Sequence, residues 1–305
     1  MKNKYRFLQL LLLTLMFFGC ETENVTTSEI EENTTAAIPT TAAYDFKVEV
    51  KNDMLLFATR EDYDAAIEYL GPKSSDAFAE WETELGFKSM RNNFSEEYRE
   101  KRGIYDDLLA TLINPDAMIQ IAGNVFKLDV LNETVTMVPA SNYKDKTSLT
   151  GKNSTIFSTD DDILDIIDGT AKRTSLADRR YCKKRHLSTR YTVSDINIFG
   201  KAVYQRGGIL KSLVANIKKS TSRGGSVNLS LQSASTRNFW KNKRHNRKRE
   251  PNIPYYSHGG NGKDYSFRPY YASRRLKAYY FRMEFTAYDV GTGSSITRFV
   301  TIDCN

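Results

Sequence analysis

The sequence predicts an α+β protein in which a mainly helical N-terminal region with a small β-meander is followed by an antiparallel β-sandwich-like C-terminal domain. Three observations predict it. Apolar residues recur at helical spacing from residue 63 to residue 112, and they alternate with polar ones after residue 191. The charge also changes sign near residue 170: residues 20–170 carry 13 basic and 30 acidic side chains, a net of −17, and residues 171–305 carry 28 and 7, a net of +21. These breaks divide the chain into a signal peptide (1–19), a disordered tether (20–43), an acidic α+β domain (44–170), a linker (171–190) and a basic β-rich domain (191–305).

The first segment has Lys2, Lys4 and Arg6 ahead of a mostly apolar run from Phe7 to Phe18. This is the pattern of a secretion signal. At about 1.5 Å per residue the run makes roughly 18 Å of helix, short of the ~30 Å hydrocarbon core. A permanent membrane span is therefore not expected. Residues 21–43 have no aromatic side chain, seven Thr and several Glu. Such a composition buries too little apolar area to offset chain entropy, so it reads as a solvated tether.

Phe17, Phe18, Gly19 and Cys20 resemble the lipobox of bacterial lipoproteins, although that family usually has Leu in place of Phe17 and a small residue in place of Phe18. The resemblance implies a diacylglycerol on the Cys20 sulfur and cleavage just before it. Glu21 and Glu23 resemble the surface-export signal of Bacteroidota-type lipoproteins. That implies a lipid anchor in the outer membrane, facing outwards.

In the acidic region, Met54–Phe57 is a short apolar run, and Thr59 with Asp62 has the spacing of a capping box. Tyr63, Ala66, Ile67 and Leu70 follow on one helical face, which Gly71-Pro72 ends. Ser74 or Ser75 starts a second helix with Phe78, Trp81 and Leu85 on its stripe and Gly86 past its end. Glu80, Glu82 and Glu84 read as a solvated face. Two more helical stretches are expected over 95–102 and 104–113, then strands over 118–121, 125–128 and 134–138. Ser158 or Thr159 is expected to cap a last helix through Ile163, Ile166 and Ile167, with Asp160, Asp161 and Asp162 at its positive end.

Trp81-Glu82, Leu85-Gly86-Phe87 and Phe94 to Tyr98 resemble a set of uncharacterised Bacteroidota-type surface lipoproteins. That resemblance implies a lipid-accepting Cys, a helical N-terminal region and a β-rich C-terminal region, and no activity.

In the basic region, Tyr279, Phe281, Met283, Phe285 and Ala287 alternate with polar residues, the period of a half-buried strand. A turn over Asp289–Gly293 leads to Ile296, Val300 and Ile302 on the next strand. Leu213, Ala215 and Ile217 alternate likewise, as do Val227, Leu229 and Leu231 beyond a turn at Arg223-Gly224-Gly225. Ile196, Ile198 and Ala202 suggest a further strand.

Residues 241–249 hold six basic side chains, Lys241, Lys243, Arg244, Arg247, Lys248 and Arg249, together with His245. They form a candidate polyanion-binding loop, because guanidinium and ammonium groups pair with phosphate, sulfate and carboxylate. Tyr255, Tyr256, Tyr265, Phe267, Tyr270, Tyr271, Tyr279 and Tyr280 crowd near it in sequence. They read either as stacking surfaces for sugar rings or as ordinary strand residues. The charge asymmetry has two readings as well: the acidic half packs on the basic half, or the basic half attracts a polyanion.

With Cys20 lipidated, Cys182 and Cys304 remain in an oxidising compartment and are expected to pair. The bridge would close a 121-residue loop, which is worth about 4 to 5 kcal/mol in the chain-entropy model. His186, His245 and His258 do not take metal-ligand spacing, and no phosphate-binding or nucleophile-elbow motif is present. His258-Gly259-Gly260 resembles the oxyanion loop of esterases without that elbow and reads as a loop. No cofactor, metal or specific nucleic-acid partner is expected. The sequence thus predicts a membrane-anchored, surface-exposed protein with a binding or structural role, its candidate ligand an anionic polysaccharide or another polyanion. The alternative is an exported glycan hydrolase with paired carboxylates.

Overall fold

The computed structural model describes residues 44–173, 185–220, 227–233, 257–276 and 279–304. Two short strands open the acidic region: β1 (Glu49–Lys51), at the edge of the sheet, pairs antiparallel with β2 (Met54–Phe57). The chain then leaves the sheet through α1 (Arg60–Leu70), α2 (Ser75–Glu84), α3 (Met90–Asn93), α4 (Glu96–Glu100) and α5 (Asp107–Leu112). It returns as β3 (Met118–Ile121), parallel to β2 with Phe57 opposite Ile121. A crossover of this length is what a parallel pair requires. The sheet is completed by β4 (Asn124–Asp129), β5 (Thr134–Pro139) and β6 (Thr155–Ser158), and α6 (Ile163–Ile167) follows it.

Local chemistry fixes the helix starts. The side chains of Thr59, Ser74, Ser89, Ser95 and Asp106 each accept a hydrogen bond from a backbone N–H in the first turn of the helix that follows, which satisfies a donor the helix cannot. Gly86 adopts φ +63° just past α2, the left-handed conformation that ends helices.

The expectation of a mainly helical N-terminal region is corrected. Across the described residues the chain is mainly β, with fourteen strands in three sheets against six α-helices, and a six-stranded sheet organises the acidic region. Two physical facts account for the difference. The stretches read as helices over 95–102 and 104–113 shrink to five and six residues, since Gly103 at φ +77° separates them and Asp106 starts the second one late. Meanwhile β1 and β6 have only three and four residues, too few to show alternation. The last helix starts after Asp162, which makes no side-chain capping bond, and not after Ser158 or Thr159.

The basic region forms two four-stranded antiparallel sheets from β7 (His186–Val193), β8 (Ile196–Arg206), β9 (Lys211–Lys219), β10 (Val227–Ser233), β11 (Ser257–Gly260), β12 (Asp264–Ala272), β13 (Tyr279–Asp289) and β14 (Ser295–Cys304). The second sheet has the order β11-β10-β13-β14 and the third has β12-β9-β8-β7. Their inner faces share one core, in which Leu213, Ala215 and Ile217 meet Leu229, Leu231, Phe281 and Phe285. The strands on either side of Arg223-Gly224-Gly225 do not form a hairpin: β9 belongs to the third sheet and β10 to the second.

Residues 41–305 make one compact unit, and the tip of the β8–β9 hairpin joins its two regions. Ile209 and Leu210 are fully buried in the core formed by α1, α2, α5 and the first sheet. Gly208, at φ +76°, lies so close to Val135 and Ile163 that a Cβ there would stand 2.6 and 2.7 Å from their side chains. Only glycine allows this backbone conformation and this approach together.

Candidate functional site

The sequence-based site residues fall mostly outside the described residues. Cys20, Cys182, Lys241, Lys243, Arg244, Arg247, Lys248 and Arg249 all do, as do His245, Tyr255 and Tyr256. Cys304 ends β14, buried in the sandwich core. Of the crowded aromatics, Tyr270 and Tyr279 are core residues, and Tyr271 packs over Gly71 at the edge of the first core. His258-Gly259-Gly260 is the edge strand β11 and not a loop.

The most developed polar constellation is the seam between the acidic and basic regions. Asp106, fully buried at the N-terminus of α5, accepts from Leu108 N at 3.0 Å. It also accepts from Arg268 of β12, Nε at 3.0 Å and Nη2 at 2.7 Å, and from the Ser212 hydroxyl. Arg268 uses Nη1 to reach Gly71 O at 2.6 Å. Burial works against the Asp106 charge, but Arg268, Ser212 and Leu108 N outweigh it and hold the carboxyl below the usual range.

Further along the seam, Lys201 Nζ donates to Glu96 Oε1 at 2.5 Å, Glu100 Oε1 at 2.7 Å and Tyr105 O at 3.2 Å, while Lys218 takes the other Glu96 oxygen. Burial opposes the Glu96 charge, yet the two lysines pull its pKa from 4.5 to about 2. At the far end Arg206 bridges Asp160 and Glu133, and Arg274 with Arg60 grips Asp165 at 2.8 and 2.6 Å. Lys211 is fully buried and donates to Asp161 O and Gly208 O at 2.5 Å and to Ser273 O at 3.2 Å, with Asp162 3.5 Å away. Burial lowers its pKa against the pull of Asp162 and Asp160.

Between the two readings of the charge asymmetry, the geometry of the described residues answers one: the acidic region packs on the basic region and pairs with it. It also corrects two local expectations. Asp160 and Asp162 do not cap α6 with their side chains; they hold Arg206 and the backbone N–H of Arg275. Glu82 is not on a solvated face. It is 1% exposed and accepts from Ser89 Oγ at 2.5 Å and Arg91 Nε at 3.0 Å, whereas Glu80 and Glu84 are exposed. Its partners lie beyond the end of α2, so spacing within the helix carried no sign of them.

A cleft of about 40 Å³ opens on the seam, lined by Glu96, Asp107, Asp264, Lys201, Lys218 and Arg268. Asp107 is held by Arg99 at 2.7 Å, and burial together with Asp107 and Asp76 raises the Asp264 pKa. The space suits about one water molecule, while small-molecule sites occupy roughly 300 to 1,000 Å³. A sugar ring does not fit. A wider depression of about 300 Å³ lies against β6, lined by Glu133, Ile156, Phe157, Asp161 and Arg173. Its carboxylates are committed: Glu133 accepts from Arg185 and Arg206, and Asp161 accepts from Ser158 N.

No family model matches the chain, and no curated protein matches its sequence. The crystal structure of a DUF4848 family protein from Bacteroides thetaiotaomicron is similar at 13% identity, over 84% of this chain and 100% of that one, with a TM-score of 0.21. A score that low supports no argument about fold or activity. Among the described residues no group of His, Cys, Asp and Glu has the geometry to hold a metal ion, and no helix is long and apolar enough to cross a membrane.

Seam chemistry is chiefly structural. Breaking a buried ion pair by removing one partner typically costs about 3 to 5 kcal/mol, because the other charge is left without compensation. Sequence reasoning missed Asp106, whose position just before Leu108, Leu109 and Leu112 was a usable N-cap signal.

Proposed function

We propose that the protein is an outer-membrane lipoprotein, anchored through lipidated Cys20 and facing outwards. In this reading it has a binding or structural role toward an anionic polysaccharide, in the manner of the uncharacterised Bacteroidota-type lipoproteins it resembles. One observation carries the reading. The seam matches the basic side chains Lys201, Arg206, Lys211, Lys218, Arg268 and Arg274 with carboxylates of the acidic region. The chain's net charge is +7, and six positive charges fall within residues 241–249. Six positive charges in nine residues, those of Lys241, Lys243, Arg244, Arg247, Lys248 and Arg249, concentrate a field of one sign, and a field of that kind attracts polyanions.

The test is the salt concentration at which detergent-extracted full-length protein elutes from immobilised heparin. Replacing Lys243, Arg244, Arg247, Lys248 and Arg249 by Ala should bring elution to much lower salt, since screening acts on each exposed charge. Unchanged elution removes the binding reading. The anchor is tested separately: an alkyne fatty acid fed to cells should label the wild type and not Cys20→Ala.

A further inference from the structure

Lys219, the last residue of β9, is a buried cation with no carboxylate partner among the described residues. It is 9% exposed, and its ammonium is held by uncharged oxygens: Val227 O at 2.5 Å, Asn261 Oδ1 at 3.0 Å and Asn261 O at 3.2 Å. Burial pulls its pKa down, and no acidic group among the described residues offsets this. Asn261 lies in the exposed turn between β11 and β12 and is followed by Gly262, the one Asn-Gly step of the sequence.

We infer that Asn261-Gly262 is a self-modification site, at which Asn261 passes through a cyclic imide to an aspartate or isoaspartate whose carboxylate pairs with Lys219. The backbone nitrogen of Gly262 attacks Cγ of Asn261 and loses its proton as the N–Cγ bond forms. The Cγ–Nδ2 bond breaks, and the amide group leaves as ammonia with that proton. Solvent water then opens the imide. Attack at Cγ restores the ordinary peptide bond and gives aspartate, whereas attack at the main-chain carbonyl routes the chain through the side chain and gives isoaspartate. Water is the one co-reactant, and nothing is oxidised or reduced.

The surroundings favour each part of that reaction. Nucleophile and carbonyl are neighbours in the chain, so their encounter costs no translational entropy, and glycine puts no side chain beside the attacking nitrogen. Lys219 Nζ lies on Oδ1, the oxygen that becomes negative as nitrogen adds. Its contact therefore strengthens toward the tetrahedral intermediate and is weaker in the starting amide. The Tyr265 hydroxyl accepts from Gly262 N at 2.8 Å, so it stands where the departing proton goes and within the reach a proton acceptor needs. Glycine makes room for that hydroxyl, since a Cβ at position 262 would stand 2.7 Å from it. The His258 ring packs edge-on against Tyr265, with centres 4.9 Å apart. Asn261 and Gly262 are both exposed, so water reaches the imide. The aspartate then meets a buried ammonium, and charge-assisted hydrogen bonds are about twice as strong as neutral ones.

The experiment follows the peptide containing Asn261 by mass spectrometry while folded full-length protein stands in heavy-oxygen water at mildly alkaline pH. In the wild type this peptide should exchange its side-chain amide for a carboxyl group that carries oxygen from the solvent, and the fragment ions should show aspartate or isoaspartate at position 261. Lys219→Met should slow the exchange at least ~10-fold, less than the ~100-fold of a closed oxyanion site because water can stand in for the ammonium at an exposed turn. Lys219→Arg keeps a cation and should restore most of the rate. Tyr265→Phe, which keeps the ring and loses the proton acceptor, should slow the exchange as well and serves as the second variant if Lys219→Met does not fold. An amide that persists in the wild type overturns the inference, as does cleavage of the chain between Asn261 and Gly262. Exchange at the wild-type rate in Lys219→Met and in Tyr265→Phe would make the reaction that of any Asn-Gly peptide and overturn the site.

Discussion

Arg268 of β12 reaches Asp106 at the N-terminus of α5 with Nη2 2.7 Å from the carboxylate, and both side chains are almost fully buried. The pair joins a strand of the sandwich to a helix 162 residues earlier in the chain. Removing one member leaves a charge in a site that water does not reach. Arg268→Ala should therefore destabilise the protein by about 3 to 5 kcal/mol, read as a lower urea midpoint at unchanged slope. Arg268→Ala combined with Asp106→Ala should cost less than the sum of the single changes. Full additivity would show that the two groups do not act as a pair.

Acid should act on the same seam through Glu96, whose folded pKa of about 2 lies below its ordinary 4.5. A depressed carboxylate pKa contributes stability that is complete above the unfolded value and fades as pH falls through the folded one. Asp106 and Asp165 are depressed too, so their contributions act in the same direction. The urea midpoint should drop as pH falls from about 4.5 toward 2, and Glu96→Gln should flatten the upper part of that fall. A profile identical to wild type would deny Glu96 this role.

Much of the sandwich was legible because its inner faces obey a simple period. Tyr279, Phe281, Met283, Phe285 and Ala287 alternate in sequence and are all buried. The seam was not legible for the opposite reason. On β8 and β9, Gln205 and Ser212 are buried on the face turned to the acidic region, and Arg206 and Lys211 are buried on the opposite face at the hairpin end of the strands. Polar residues there read as solvent-facing until their partners on another part of the chain are known. β12 was hidden by a break in register between Phe267 and Tyr270, which interrupts alternation where the aromatics crowd. For the site, the charge asymmetry admitted pairing between the halves as one of its two readings, but no local spacing names Glu96 for Lys201 or Asp106 for Arg268.

Gly208→Ala tests the joint between the two regions. The new methyl group would meet Val135 and Ile163 side chains at 2.6 and 2.7 Å, and φ +76° is itself strained for alanine. Overpacking of this kind costs about 1 to 3 kcal/mol. The melting temperature should fall with a single transition, since Ile209 and Leu210 tie the hairpin into the first core. A wild-type melting temperature would mean that the hairpin tip moves without cost.

The proposed Cys182–Cys304 bridge makes a prediction that can be checked on secreted protein without any variant. Cys304 is 7% exposed at the end of β14, so a thiol there would be shielded while the protein is folded. Alkylation must therefore follow denaturation under non-reducing conditions. Peptide mapping should then recover Cys182 and Cys304 in one linked fragment, with Cys20 absent from it because its sulfur carries lipid. Under reducing conditions the urea midpoint should fall, by an amount corresponding to at most about 4 to 5 kcal/mol for a loop of 121 residues. Free alkylation of both cysteines in unreduced material would remove the bridge. A Cys20–Cys182 or Cys20–Cys304 fragment would remove the lipid anchor as well, since one sulfur cannot hold both.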